Sequence, residues 1–172
     1  MMKHTISILC DDIPGVMTRI SGLFSRRGFN IESLTVGHTE LPGKSRFTIV
    51  VEGNEDILEQ VRKQLQKLVH VIKVWDLDIE RIVEREHALV KVEVHEQDRG
   101  LLLQLITALQ ARIINSRGPV WVLEITGDTA SIDSAINLLN QFTILESIRT
   151  GKIALEQGAK LPTSRERDKG GF

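Results

Sequence analysis

Apolar positions recur along this chain with two alternating periods. From His4 to Cys10 polar and apolar residues alternate, as in a half-buried strand, and DDIPGV then supplies the Pro and Gly that open a helix. Val16, Ile20, Leu23 and Phe24 fall at i, i+4, i+7 and i+8, one apolar stripe that ends at the terminator Gly28. Ile31 to Glu40 is rich in β-branched residues. LPGK follows, and Ser45 to Glu52 puts Phe47, Ile49 and Val51 on one face, so the pair reads as a hairpin. Asn54 can cap a second helix with the stripe Ile57, Val61, Leu65 and Leu68, and Val71 to Ile79 returns as a strand. The order is βαββαβ. Neither the helices nor the sheet can bury an apolar face alone, so two helices should lie on one face of a four-stranded antiparallel sheet.

DIERIVEREHALV is dense in charge and has no turn signal, which places a domain boundary near 79–85 as an extended, solvated connection. The pattern then repeats. Ala88, Val90, Val92 and Val94 alternate with His87, Leu89, Lys91 and Glu93, and Leu101, Leu105, Ile106 and Leu109 make a helical stripe. Short strands are expected at 112–116 and 120–126, joined by RGP. A helix capped near Asp128 follows with Ile132, Ile136 and Leu139 inward, and then a last strand from Glu146 to Leu155. The fold class is α+β, two ferredoxin-like βαββαβ domains spanning 1–79 and 85–157, with a polar, frayed tail at 158–172. The halves share an order of elements but little identity.

Composition changes this picture little but excludes partners. In 172 residues, 41% are hydrophobic and 26% charged, the balance of a chain that folds. The formal net charge of -1, with the two signs interspersed, provides no footprint for a nucleic acid or an anionic bilayer. No run of about eighteen apolar residues is present, so the expected location is cytoplasmic, or the plastid stroma if a transit peptide has been removed. Cys10 is the single cysteine and reads as a buried structural thiol.

No catalytic constellation is apparent, and the chain reads as non-catalytic. His4, His38, His70, His87 and His95 are scattered without metal-ligand spacing. Asp11 and Asp12 are neighbours that read as solvated loop acids, and the glycines of RTGK and GDTAS are turns. DDIPGV differs. The first N–H groups of a helix lack intrahelical partners and the dipole there is positive, so a carboxylate can be held without a basic side chain. Gly15 has no Cβ to obstruct that approach, and Pro14 lacks only an N–H the helix does not use. An amino-acid ligand also needs an acceptor for its ammonium, and Asn30 offers a side-chain carbonyl beyond the far end of the same helix. The two loops would stand roughly 20 Å apart in one chain. A dimer in which one subunit's DDIPGV faces the other's Asn30 and Ile31 closes two equivalent pockets.

The stretch DDIPGVMTRISGLFSRRGFNIESLTVG resembles the ACT domain of acetolactate synthase small subunits, in which a helix start is followed by GLFxxRGxNIxSL. SRFTIVVEG, LEQVRKQLQKLVHVIKV, EREHALVKV, ITGD and RTGKIAL continue the likeness over about residues 3–157. It implies an N-terminal ACT domain for amino-acid binding and homodimer formation, and a C-terminal ACT-like domain. It also implies a large catalytic subunit as partner, which carries thiamine diphosphate, Mg²⁺ and FAD, with no cofactor or metal in this chain. Carried over, the valine-binding positions are Asp12, Ile13, Pro14, Gly15, Val16, Asn30 and Ile31. The implied function is regulation of branched-chain amino acid biosynthesis: activation of the large subunit and feedback inhibition by valine. Bacterial relatives often have Asn where Asp12 stands, and the extra charge favours a ligand ammonium while disfavouring its carboxylate. INSRGPVWV departs from the family's second-domain pattern, nearer VVDVSxxSLTI. The competing reading is a stand-alone amino-acid sensor acting on another protein. An RNA-binding module of the same element order fares worse, since HTISILC has no aromatic residue and SRFTIVVE only Phe47 for stacking bases.

Overall fold

β1 (Met2–Asp11) lies between β3 (Lys44–Gly53) and β4 (Val71–Asp76), antiparallel to both, and β2 (Ile31–His38) adds to the other side of β3, giving the order β2-β3-β1-β4. The computed structural model describes residues 2–157, so the expected frayed tail lies outside the described residues. Two units are formed: the first runs to Val83 and takes back the chain from Ala154, and the second spans Glu84–Ile153.

In the first unit the strand period selects the core. Ile6, Ile8 and Cys10 of β1 and Phe47, Ile49 and Val51 of β3 point to one face and are almost wholly buried. Over them lie α1 (Val16–Arg26), through Val16, Ile20, Leu23 and Phe24, and α2 (Glu55–Gln66), through Leu58, Val61 and Leu65. The α1 stripe is the one the spacing predicts. In α2 Leu58 joins it and Leu68 packs partly buried beyond the helix, whereas the side chain of Ile57 lies outside the described ones. Gly28, at φ 72, closes α1 in the left-handed region, and its N–H donates to Ser25 O at 3.0 Å. The turn brings Phe29 edge-on to Phe24, with ring centroids 6.5 Å apart.

The second unit repeats the plan with β5 (Ile82–Glu93), α3 (Arg99–Ala108), β6 (Arg112–Arg117), β7 (Val120–Gly127), α4 (Thr129–Leu139) and β8 (Thr143–Arg149). The sheet order is β6-β7-β5-β8, and β9 (Ile153–Glu156) also pairs with β5. Ala88, Val90, Val92, Trp121, Leu123 and Ile125 meet Leu102, Ile106, Ile132, Ala135 and Leu139 from the helices. Asp128 caps α4 as the sequence suggests, accepting from Ser131 N at 2.7 Å.

Three expectations change. The strand expected at 71–79 stops at Asp76, and Ile79–Arg81 forms a short 3-10 turn in which the Asp78 side chain accepts from Glu80 N. The extended connection expected near 79–85 is part of a strand, since β5 begins at Ile82; Glu80, Arg81, Val83 and Arg85 are exposed, and Ile82 and Glu84 are half-buried. Two of its acids are paired: Lys152 donates to Glu84 at 2.7 Å, and Arg149 grips Glu86 through two bonds of 2.7 Å while reaching Asp133 of α4 at 2.6 Å. Second, Leu101 is exposed and Leu105 half-buried, with Leu102 and Ile106 carrying the α3 contact. The 3-10 turn at Glu96–Asp98 precedes the helix, and a run of apolar residues on both sides of it offered no unique stripe. Third, the strand expected at 146–155 is two strands, separated at Thr150 and at Gly151, whose φ is 79.

The Glu86–Arg149 pair sets a measurable energy. Glu86 is only 6% exposed, so Arg149→Met would strand a buried carboxylate at a cost of about 3 kcal/mol. Lys91→Met, which breaks the more exposed Lys91–Glu146 pair, should cost far less, because solvent screens that pair. Urea unfolding of both variants checks the contrast, and equal losses would contradict it.

Candidate functional site

Asp11 is the last residue of β1, and the chain then leaves the sheet through Asp12, Ile13, Pro14 and Gly15 before α1 begins. Two backbone bonds fasten the departure: Asp11 N donates to His70 O and Asp12 N to Gly43 O, each at 2.9 Å. The Asp11 carboxylate is engaged on both oxygens, receiving Lys44 Nζ at 2.5 Å and lying 3.1 Å from His70 Nδ1. The hydrogen bond from Lys44, then that from His70, lowers its pKa. Asp11 is therefore not the solvated loop acid expected from sequence. Asp12 is exposed, with His38 Nδ1 3.3 Å from its carboxylate.

Gly15 occupies the helix N-cap at φ 88 and ψ -10, with no side chain capping the helix. The first intrahelical bond runs from Arg19 N to Gly15 O at 3.2 Å. The N–H groups of the opening turn thus meet no side-chain acceptor at the cap, and the positive end of the helix dipole is left for an anion. A Cβ on Gly15 would meet nothing within 4 Å, so glycine is required here by its backbone conformation. Ile13 and Met17 are exposed beside this turn, and Pro14 is exposed as well. Val16 points its side chain into the core, leaving its backbone to face the loop.

Asn30 and Ile31 stand at the opposite end of α1. Asn30 is exposed, and Ile31 opens β2 opposite Val51 with its side chain packed on the core. The 11-residue helix between the two groups is itself about 16 Å long. One chain brings Asp12 to Val16 together, and Asn30 with Ile31, but not the two sets with each other.

Sequence reasoning missed the residues that border the loop from elsewhere. Lys44 and His70 are 33 and 59 positions from Asp11 and arrive there only through strand register. Opposite β1, Leu9 pairs with Lys73 but Cys10 with Val71, so Ile72 is an extra residue in β4. That bulge puts His70, not Val71, opposite Asp11. Broken alternation is its signal in sequence: the buried residues of β4 are Val71 and Val74, three apart. The Cys10 thiol beside the loop is buried and donates to Ser45 O at 3.5 Å. Burial first, then the nearby Asp11 and Asp12, pushes its pKa up to about 11, which makes it inert.

Among the described residues no group of three or more His, Cys, Asp or Glu could hold a metal ion, and no helix is long and apolar enough to cross a membrane. The sheet face opposite the helices is no platform for bases. Its Thr5, Ser7, Leu9, Thr48 and Val50 are almost inaccessible, and Arg46 covers the Trp75 ring with its guanidinium carbon 4.8 Å from the centroid.

Residues 6–73 match the family model described as an AHAS small subunit-like ACT domain, and residues 85–158 match that of the small subunit of acetolactate synthase. The chain is 47% identical over 159 residues to a probable acetolactate synthase small subunit of Archaeoglobus fulgidus, covering 92% of this chain and 99% of that protein. It is 42% identical to an acetolactate synthase small subunit of Mycobacterium leprae, over 91% of this chain and 93% of that one. The crystal structure of the acetolactate synthase small subunit from Thermotoga maritima superposes with a TM-score of 0.86 at 41% identity, covering 93% of this chain and all of that one.

Two measurements test this loop directly. Gly15→Ala forces a side-chain-bearing residue to hold a positive φ and should cost about 1–2 kcal/mol in urea unfolding; an unchanged stability would contradict the strain. Because its folded pKa is lowered, Asp11 contributes stability that is complete above the ordinary carboxylate value and lost as pH falls through the folded one. Asp11→Asn should therefore be less stable than the parent at neutral pH, with the gap closing below about pH 4. A gap that is constant with pH would show that the charge contributes nothing.

Proposed function

The chain belongs to the acetolactate synthase small-subunit family, and from that premise we propose that it is a regulatory subunit that binds valine between two copies of its ACT domain and controls a separate catalytic subunit. The observation that carries the proposal is the uncapped helix start at Gly15, with Asp12 exposed beside it. The ligand carboxylate is held by the N–H groups of the first turn, and Asp12 accepts from the ammonium. Ile13 and Pro14 shape the loop, and Val16 contributes its backbone. Asn30 and Ile31 come from the second copy, because α1, about 16 Å long, stands between the loop and a chain's own Asn30.

Such a site couples ligand to assembly. Valine adds binding free energy only to the arrangement in which both halves meet, so it shifts the population toward that arrangement. The catalytic subunit, carrying thiamine diphosphate, Mg²⁺ and FAD, is activated by the ligand-free regulator and loses that activation when valine binds. This chain supplies no catalytic group of its own. Valine, leucine and isoleucine present the same charged groups and differ by about one methylene, worth roughly 1 kcal/mol, so the three compete for one site.

The test mixes the purified chain with a catalytic subunit and titrates each amino acid against acetolactate formation. Activation on mixing and its withdrawal by valine are expected. Gly15→Asp, which puts a carboxylate where the ligand's would lie, should preserve activation and abolish valine sensitivity. A holoenzyme with Gly15→Asp that stays fully valine-sensitive would sink the proposed site, and absence of activation would favour a stand-alone sensor.

A further inference from the structure

Asp12 and Gly15 can serve an effector only if the loop leaves β1 in a fixed direction, yet that loop has no internal brace. Pro14 lacks an N–H, the helix start has no side-chain cap, and Ile13, Pro14 and Gly15 are all exposed. Its fixed end is Asp11. We infer that Lys44 and His70 are positioning residues for the effector loop, acting through the Asp11 carboxylate that both of them hold.

Three independent elements meet at that carboxylate. β1 supplies Asp11, the start of β3 supplies Lys44 at 2.5 Å, and the turn between α2 and β4 supplies His70 at 3.1 Å. Neither oxygen is left without a partner. The backbone reinforces the same point, with the His70 carbonyl receiving Asp11 N and the Gly43 carbonyl, next to Lys44, receiving Asp12 N. The extra residue in β4 is what makes the junction possible, since an unbulged register would place Val71, a core side chain, opposite Asp11. With both oxygens of Asp11 occupied by donors, Asp12 is the acid of this loop still open to a ligand ammonium. The charges around it are Asp11, Lys44 and His70 on the sheet side and His38 at the end of β2.

The geometry divides the two adjacent acids between two tasks: Asp11 orients, and Asp12 binds. Loss of a clamp donor leaves the binding groups intact but lets the loop sample other directions, and that ordering must then be supplied at the moment of binding.

This inference rests on the effector reading above, and the experiment separates the two. L-valine is titrated calorimetrically into the full chain and into Lys44→Met, Lys44→Arg, His70→Leu and His70→Gln, with thermal midpoints recorded for each. Lys44→Met and His70→Leu should each weaken valine about tenfold, with the folded state retained. Lys44→Arg and His70→Gln, which keep an N–H donor, should restore most of the affinity; a purely structural role predicts no such recovery. Asp11→Asn, equal in size but uncharged, gives an independent measure and should weaken binding to a similar extent. A parent chain that binds valine, with clamp variants that bind it equally well, overturns the inference alone. A parent chain that binds none of the branched-chain amino acids overturns the effector reading and the inference with it.

Discussion

Residues of β1 alternate between two environments that accept different things. Ile6, Ile8 and Cys10 face two helices in a dry layer, and Thr5, Ser7 and Leu9 face the other side of the sheet. Because β1 is a central strand, its register with β3 and β4 places every other element of the unit. α1 can cover Ile8 only if the chain turns back at Asp11, and the turn then falls between the starts of β3 and β4. The position of the candidate site is in this sense a consequence of core burial. β5 has the same part in the second unit, with Ala88, Val90 and Val92 inward.

This constraint also explains what could be read in advance. The α1 stripe, the hairpin closed by LPGK, the terminator Gly28 and the cap Asp128 all depend on neighbours within about a dozen positions, and each is present where the spacing places it. The segment around Glu84 and Glu86 is of another kind. Its charges suggest solvent because charged side chains are seldom buried alone, and here they are not alone: their partners, Lys152 and Arg149, lie 68 and 63 positions away. Local pattern carries no information about such a partner. The stripe of α3 failed for the opposite reason, since leucines at 101, 102, 103 and 105 fit several faces and packing made the choice.

The site divides along the same line. The helix start after Asp12 was legible because Pro-Gly is a local motif, and the demand for glycine is met by the positive φ at Gly15. Lys44 and His70 were not, since neither is remarkable where it stands in sequence. Their relation to Asp11 is created by a register shift of a single residue in β4. A bulge at the end of a strand is one way a sheet re-aims a side chain without disturbing its core.

The length of α1 has a consequence that loop motion cannot undo. A helix is stiff, and the 11 residues of α1 put about 16 Å between the loop that carries Asp12 and the one that carries Asn30. A pocket built from both must therefore borrow one of them from another copy. On the proposed reading the effector then senses assembly as much as shape. If valine favours the paired arrangement by some factor, pairing raises the affinity for valine by the same factor, because the two equilibria share one thermodynamic cycle. Regulation of a separate catalytic subunit needs no communication through the core of either ACT domain; it needs only that the surface offered to that subunit differ between the paired and unpaired arrangements.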